Sequence, residues 1–160
     1  MTTTIHYQYY DSPIGRLRLV SNGAALLRIE FPGMHSDDGE QVADAVLDTT
    51  AQQLGEYFAG HRKTFSIKLA AGGTAFQQQV WAALGEIPFG ELRSYKDIAE
   101  LIGKQKAVRA VGAANGANPI PIVVPCHRVI GSNGKLTGFA GGLPAKRTLL
   151  QLEGVELTGA

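Results

Sequence analysis

The chain has 160 residues, 44% of them hydrophobic and 18% charged, with a formal net charge of +1. That balance fits a soluble globular protein of one or two small domains and excludes a disordered chain. No apolar run reaches the ~20 residues that span a bilayer, and the start, MTTTIHYQYYDSP, lacks the pattern of a secretory signal. The charge is unevenly divided. Residues 1–73 hold six Lys/Arg against eight Asp/Glu, and residues 74–160 hold nine against six. The second half therefore has the sign that suits a polyanionic partner. One cysteine, Cys126, excludes an internal disulfide and points to a reducing, cytoplasmic location.

In chain order, HYQYY (6–10), RLRLV (16–20) and AALLRIEF (24–31) read as strands separated by DSPIG and SNG turns. Residues 40–59 change to helical spacing, with Val42, Val46, Leu47, Leu54, Tyr57 and Phe58 on the apolar face. TFSIKL (64–69) reads as a returning strand. AAGG (70–73) then links an N-terminal domain, 1–73, to a C-terminal one, 74–160.

The second half opens on a helix in which Thr74 and Gln77 have capping-box spacing and Phe76, Val80, Leu84 and Ile87 form the buried stripe. Pro88 and Gly90 stop it. Ser94 and Asp97 start another, with Tyr95, Ile98, Leu101 and Ile102 on its apolar side and Gly103 at its end. AVRAVGAANGAN follows as a third helix, so residues 94–117 have the helix-turn-helix layout. Asn133-Gly134 marks a hairpin that would serve as the wing of a winged helix. Pro144 begins a closing helix that Gly154 ends.

A third helix of this composition reads little DNA sequence. Direct readout uses three or four long polar side chains, whereas this helix offers Ala, Val and Gly with Arg109 near its start. The same small residues suit close packing in a core, and an arginine suits a solvated surface.

The lone cysteine sits in NPIPIVVPCHRVIG, residues 118–131. A thiol becomes a strong nucleophile as thiolate, and His127 and Arg128 are placed to promote that ionisation. On a continuing strand, however, adjacent side chains point to opposite faces. Either the chain turns at Pro125-Cys126, or a water relays between sulfur and imidazole, or the adjacency carries no chemistry. Pro119, Pro121 and Pro125 stiffen the approach, which suits a held reactive atom and equally a rigid loop.

Together, FQQQVWAALGEIPFGELRSYKDIA, RAVGAANGANPIPIVVPCHRVIG and LLQLEG resemble the O6-alkylguanine-DNA alkyltransferase (methylated-DNA–protein-cysteine methyltransferase) family, whose active-site motif is PCHRVIG. The N-terminal half resembles it more loosely. The resemblance implies an α+β protein: a ribonuclease-H-like small sheet plus helix, then a mostly helical winged helix-turn-helix domain with its active-site motif at 125–131. It implies a DNA repair protein that flips O6-methylguanine, and O4-methylthymine, out of the duplex. The alkyl group passes irreversibly to its own cysteine, one lesion per molecule.

The same resemblance assigns roles. Cys126 is the nucleophile and methyl acceptor, His127 its water-mediated base, and Glu153 the group that orients His127. Tyr95 donates a proton to the departing guanine and assists flipping. Arg109 enters the base stack, and Ala110, Ala114 and Asn115 join Tyr95 and Arg109 in contacting DNA. Asn118 is a structural hinge, and Val129 and Ala140 line the base pocket. The implied partner is double-stranded DNA, bound from the minor groove without sequence preference by a protein that is monomeric in the absence of DNA. No cofactor is implied. Some relatives bind zinc in the N-terminal half, but this half has no cysteine and only His6, His35 and His61, so no metal site is expected. Non-catalytic relatives carry tryptophan where Cys126 stands. A damage-sensing winged-helix protein without catalysis is the alternative from another class, and a thiol hydrolase using Cys126 and His127 is a second.

Overall fold

The computed structural model describes residues 4–131, 133, 134, 136 and 138–156. The chain forms two compact units, Met1–Gly72 and Gly73–Ala160.

In the first unit β1 (His6–Ser12), β2 (Gly15–Ser21) and β3 (Leu26–Glu30) form an antiparallel meander. The short β4 (Glu40–Gln41) joins β1 in parallel, giving the order β3-β2-β1-β4. Gly15 closes the first hairpin at φ +105°, where a side chain would be strained. Alternation along β2 separates two sets of residues. Leu17 and Leu19 belong to a core shared with Leu47, Leu54 and Tyr57 of α1 (Ala45–Phe58), all at most 1% exposed. The Tyr10 ring stacks on Phe58 of the same helix. Arg18 has the opposite parity and is nonetheless buried. Its guanidinium lies 4.1 Å from the Tyr7 ring centroid and donates to Glu30 and Asp38. Arg28 donates to the same two carboxylates, which ties the loop before β4 to the sheet.

Two expectations change here. The helix begins at Ala45, not near residue 40, because residues 40–41 pair with β1 and Asp44 caps the helix by accepting from the Leu47 N–H at 2.8 Å. Val42 therefore lies before the helix and is exposed. The TFSIKL segment contributes a single bridge, Leu69 to Leu26, and no ladder. Gln53 takes the Ser66 N–H at 2.9 Å and bonds its hydroxyl at 3.0 Å, so this backbone is satisfied by a side chain of α1 instead of by a strand.

The second unit packs α2 (Ala75–Leu84), α3 (Tyr95–Leu101), α4 (Val108–Gly116) and α5 (Leu143–Leu152) around one core. The expected capping box of Thr74 with Gln77 forms, and Ser94 with Asp97, expected to start the next helix, forms a second. Val80, Leu84, Ile87, Ile98 and Val111 are buried, while Phe76 is half-buried. The Trp81 indole N–H donates to the Ala114 carbonyl at 2.8 Å and pins α2 to α4. Leu101, expected inside, is 59% exposed and lines an open cleft of about 540 Å³ with Glu86, Leu92 and Arg93. The helix-turn-helix is α3 and α4, turned at Gly103 (φ +73°). Its first residues are tied to the segment after Cys126 by a short parallel pairing of β5 (Arg93–Ser94) with β6 (Val129–Ile130). A turn at Gly134 is present, its N–H donating to Gly131. No hairpin ladder follows among the described residues; residues 132, 135 and 137, part of the expected wing, lie outside them.

Asp44 joins three elements by accepting from Leu47, Ser21 and His6. Burial acts to raise its pKa, but the bonds from Ser21, Leu47 and His6 outweigh this and hold it below the usual value of 3.8. A carboxylate with a lowered folded pKa stabilises fully at neutral pH and loses that contribution as pH falls through the acid range. Asp44→Ala should cost about 1–2 kcal/mol at pH 7, measured by urea denaturation, and the gap to wild type should narrow below about pH 4. An unchanged midpoint at pH 7 would contradict the capping role.

Candidate active site

The path to Cys126 is stiff because its backbone is fixed at nearly every step. Asn118, just beyond α4, accepts the Ile120 N–H on its Oδ1 and donates from Nδ2 to the Val124 carbonyl at 2.9 Å. Val124 N–H returns to the Ile120 carbonyl, closing a tight turn. Within that turn Ile122 has φ +74°. A β-branched residue resists this conformation, so it persists because the buried side chain and the flanking prolines over-determine it. The chain then bends into one 3-10 turn, Cys126–Arg128. That bend settles the question posed by adjacent Cys and His. A turn of three residues spreads successive side chains by about 120° instead of opposing them, so the three motif residues serve different neighbours.

All three are buried, and their partners come from α5, α4 and the loop after α2. The His127 Nε2–H donates to Glu153 Oε2 at 2.6 Å. An ionised carboxylate can only accept, so Nε2 carries the proton and Nδ1 is the bare nitrogen. Nδ1 is buried and makes no hydrogen bond to any of the described residues. Arg128 clamps the same carboxylate, Nε to Oε1 at 2.8 Å and Nη2 to Oε2 at 3.0 Å, and donates from Nη1 to the Ile87 carbonyl. The Gly90 N–H completes the set on Oε1. Burial drives the His127 pKa down, against the pull of Glu153, so the ring is neutral at physiological pH. Burial also raises the Cys126 thiol to about 11, opposed by the neighbouring Asn118 amide and the charge of Lys146.

The other candidates fall into three groups. Arg109 and Ala110 are exposed on α4, and Tyr95 is half-buried at the start of α3 with its ring beside Gly112, about 4 Å from where a Cβ would stand. Ala114 and Asn115 are only 3% exposed and cannot form the accessible face expected of them. Residues at i, i+3 and i+4 share a helix face, and with Val111 these two point into the core. Ala113 and Gly116 share the exposed face with Arg109 and Ala110. Asn115 instead donates to the Cys126 carbonyl at 3.4 Å, so it supports the cysteine turn. Val129 is buried directly after the turn, whereas Ala140 is exposed in the bend before α5.

Arg128, expected to promote ionisation of the thiol, instead pairs with Glu153, and Lys146 was missed. The clamp of Arg128 on Glu153 is a contact 25 positions away that no local pattern encodes. Lys146 is fully buried and donates to the Val129 carbonyl at 2.6 Å. Its signal was present, because Lys146, Leu149, Leu150 and Glu153 have the spacing of one helix face.

Two outcomes test this geometry. The rate at which Cys126 of the DNA-free protein reacts with iodoacetamide should rise about tenfold per pH unit between pH 6 and 7.5, because thiolate is the minor form there. A rate already flat at pH 7 would contradict the raised pKa. Glu153→Gln should lower stability by about 3–5 kcal/mol in chemical denaturation, since it strands a buried guanidinium. A loss below 1 kcal/mol would show that the carboxylate is not the anchor.

Residues 75–155 match the family described as 6-O-methylguanine DNA methyltransferase, DNA binding domain, and residues 5–71 match its ribonuclease-like domain. The methylated-DNA–protein-cysteine methyltransferase of Methanosarcina acetivorans is 49% identical over 156 residues, 94% of this chain and 99% of that protein. The protein of the same name from Mycobacterium bovis is 50% identical over 152 residues, covering 93% and 92%. Among solved structures, Mycobacterium tuberculosis OGT in complex with DNA superposes with a TM-score of 0.87 at 49% identity, covering 92% of each chain. The buried Cys-His-Glu arrangement thus sits in an α+β chain matched along nearly its whole length, and the chain belongs to the methylated-DNA–protein-cysteine methyltransferase family.

Proposed function

We propose that this DNA-repair alkyltransferase takes the methyl group of O6-methylguanine, and of O4-methylthymine, onto Cys126. The observation that carries this reading is the hydrogen bond that holds His127 to Glu153 through Nε2 and leaves a buried Nδ1 with no hydrogen bond among the described residues, one residue from the sole thiol. A water between Sγ and Nδ1 would carry the thiol proton to the imidazole. The thiolate then attacks the methyl carbon. A carbon–sulfur bond forms, the carbon–O6 bond breaks, and its electron pair leaves with guanine, which takes a proton from the Tyr95 hydroxyl. The product is a thioether that no group of this site can cleave, so each molecule repairs one lesion.

The lesion reaches so enclosed a sulfur only if the base leaves the duplex, at a cost of a few kcal/mol. The exposed face of α4, with Arg109, Ala110, Ala113 and Gly116, suits that task. Small residues let the helix approach the minor groove closely, and Arg109 is the side chain long enough to fill the vacated place in the stack. This face has too few polar groups to read bases, so binding is independent of sequence. The backbone of Val129 and the bend at Ala140 would border the base, and Asn118 acts as the hinge between α4 and the cysteine turn. The protein is a monomer in the absence of DNA, and its obligatory free thiol suits the reducing cytoplasm.

Intact-mass measurement after incubation with O6-methylguanine duplex should show one added methyl group per molecule, mapped to Cys126. A protein that binds the duplex and gains no mass would be a damage sensor instead. Arg109→Ala should slow transfer from duplex at least tenfold more than transfer from free O6-benzylguanine; equal losses would contradict the stacking role.

A further inference from the structure

Among the described residues, four buried side-chain nitrogen or oxygen atoms have no hydrogen-bond partner: Arg18 Nε, Arg147 Nε, His127 Nδ1 and Asn115 Oδ1. The first two are guanidinium donors. The two acceptors both belong to the cysteine turn or to a side chain bonded to it, and the alkyl-transfer steps use only His127 Nδ1. An acceptor left dry in a protein interior is costly, so a buried one without a partner marks a place built for a donor.

Asn115 is 3% exposed and shares the inward face of α4 with Val111 and Ala114. Its Nδ2 donates at 3.4 Å to the Cys126 carbonyl, the oxygen of the peptide that joins Cys126 to His127. A carbonyl only accepts, so the amide turns its nitrogen to that peptide and Oδ1 is the end left bare. Asn118 makes the contrast. It uses both ends of its amide, accepting the Ile120 N–H and donating to the Val124 carbonyl. Bracing the turn requires only Nδ2 of Asn115. Packing does not account for its oxygen, since an apolar side chain would fill this face of α4 with no acceptor to satisfy.

The His127 ring, one peptide away, presents the other bare acceptor. A water has two O–H donors and typically makes about three hydrogen bonds when buried. A water that relays between Sγ and Nδ1 gives one hydrogen to the imidazole and turns its oxygen to the thiol. Its second hydrogen needs an acceptor.

We propose that Asn115 Oδ1 is that acceptor, so that a water held between Asn115 and His127 is oriented with its lone pair toward the Cys126 thiol. The thiol proton passes to the water oxygen, and the hydrogen that the water shares with Nδ1 passes to the imidazole. The water is regenerated, and thiolate and imidazolium remain. An amide oxygen is too weak a base to take the proton itself, so the relay has one exit. Asn115 is a positioning residue, acting through the water. This role rests on the alkyl-transfer reading and deepens it.

A high-resolution crystal structure of the DNA-free protein tests the site without any reaction. One ordered water within about 3.2 Å of both Asn115 Oδ1 and His127 Nδ1 is expected. An Asn115 Oδ1 bonded to another donor, or a water on Nδ1 that does not reach Asn115, would overturn the proposal. A kinetic cycle separates orientation of the water from bracing of the turn. In single-turnover methyl transfer from O6-methylguanine duplex, Asn115→Leu, close in shape, should lower the maximal rate about tenfold and leave DNA affinity unchanged. In a His127→Gln background the same substitution should cost about twofold or less, because both residues act on one water. Thermal melts establish that each variant is folded. A folded Asn115→Leu at the wild-type rate, or losses that multiply across the cycle as those of a mere brace do, would overturn the proposal. Failure of the protein to accept a methyl group, with the water in place, would overturn the alkyl-transfer reading alone.

Discussion

A buried carboxylate is tolerable only when its oxygens are well used, and Glu153 meets that condition with four hydrogen bonds from three of the described residues. The arrangement does more than offset desolvation. Arg128 supplies the positive charge, which leaves His127 free to stay neutral, and the Nε2–H bond fixes which imidazole nitrogen is bare. Remove the carboxylate and three things fail together: the guanidinium is stranded, the tautomer is no longer set, and the anchor between α5 and the cysteine turn is lost. Structure and chemistry thus depend on the same atoms.

The second constraint is backbone rigidity. Cys126 is buried at 4% exposure, so its reactivity depends on small displacements of its neighbours. Asn115 and Asn118 bond the chain on both sides of the prolines, and the strained Ile122 is held in place by packing. A rigid turn of this kind keeps Cys126, His127 and the Val129 carbonyl at fixed separations while α4 is engaged elsewhere. Attack at a carbon demands alignment, and prepaid ordering of the nucleophile is where such a fold contributes to rate.

Much of this was legible in the sequence, for identifiable reasons. Both capping boxes of the second unit, the two glycines that end helices and the first three strands follow from local spacing, and local spacing survives folding. Where prediction failed, a distant partner decided. Gln53 took the hydrogen bonds that a strand at 64–67 would have used. Asp44 moved the start of α1 by capping it later. The resemblance implied a DNA contact for Asn115, but helical phase turns it toward the Cys126 carbonyl. Cys126, His127 and Glu153 were recognisable from the resemblance, and the geometry now joins His127 and Glu153. Arg128 and Lys146 gain their meaning only from tertiary contacts, to Glu153 and to the Val129 carbonyl.

The protonation state of His127 is where these lines meet, because the base proposed for it must be neutral and must present the correct nitrogen. Nitrogen-15 NMR of the imidazole in the DNA-free protein reads both properties at once. The account predicts one protonated nitrogen, Nε2, and a bare Nδ1 throughout pH 7 to 9. A ring protonated at both nitrogens near pH 7, or one carrying its proton on Nδ1, would contradict it.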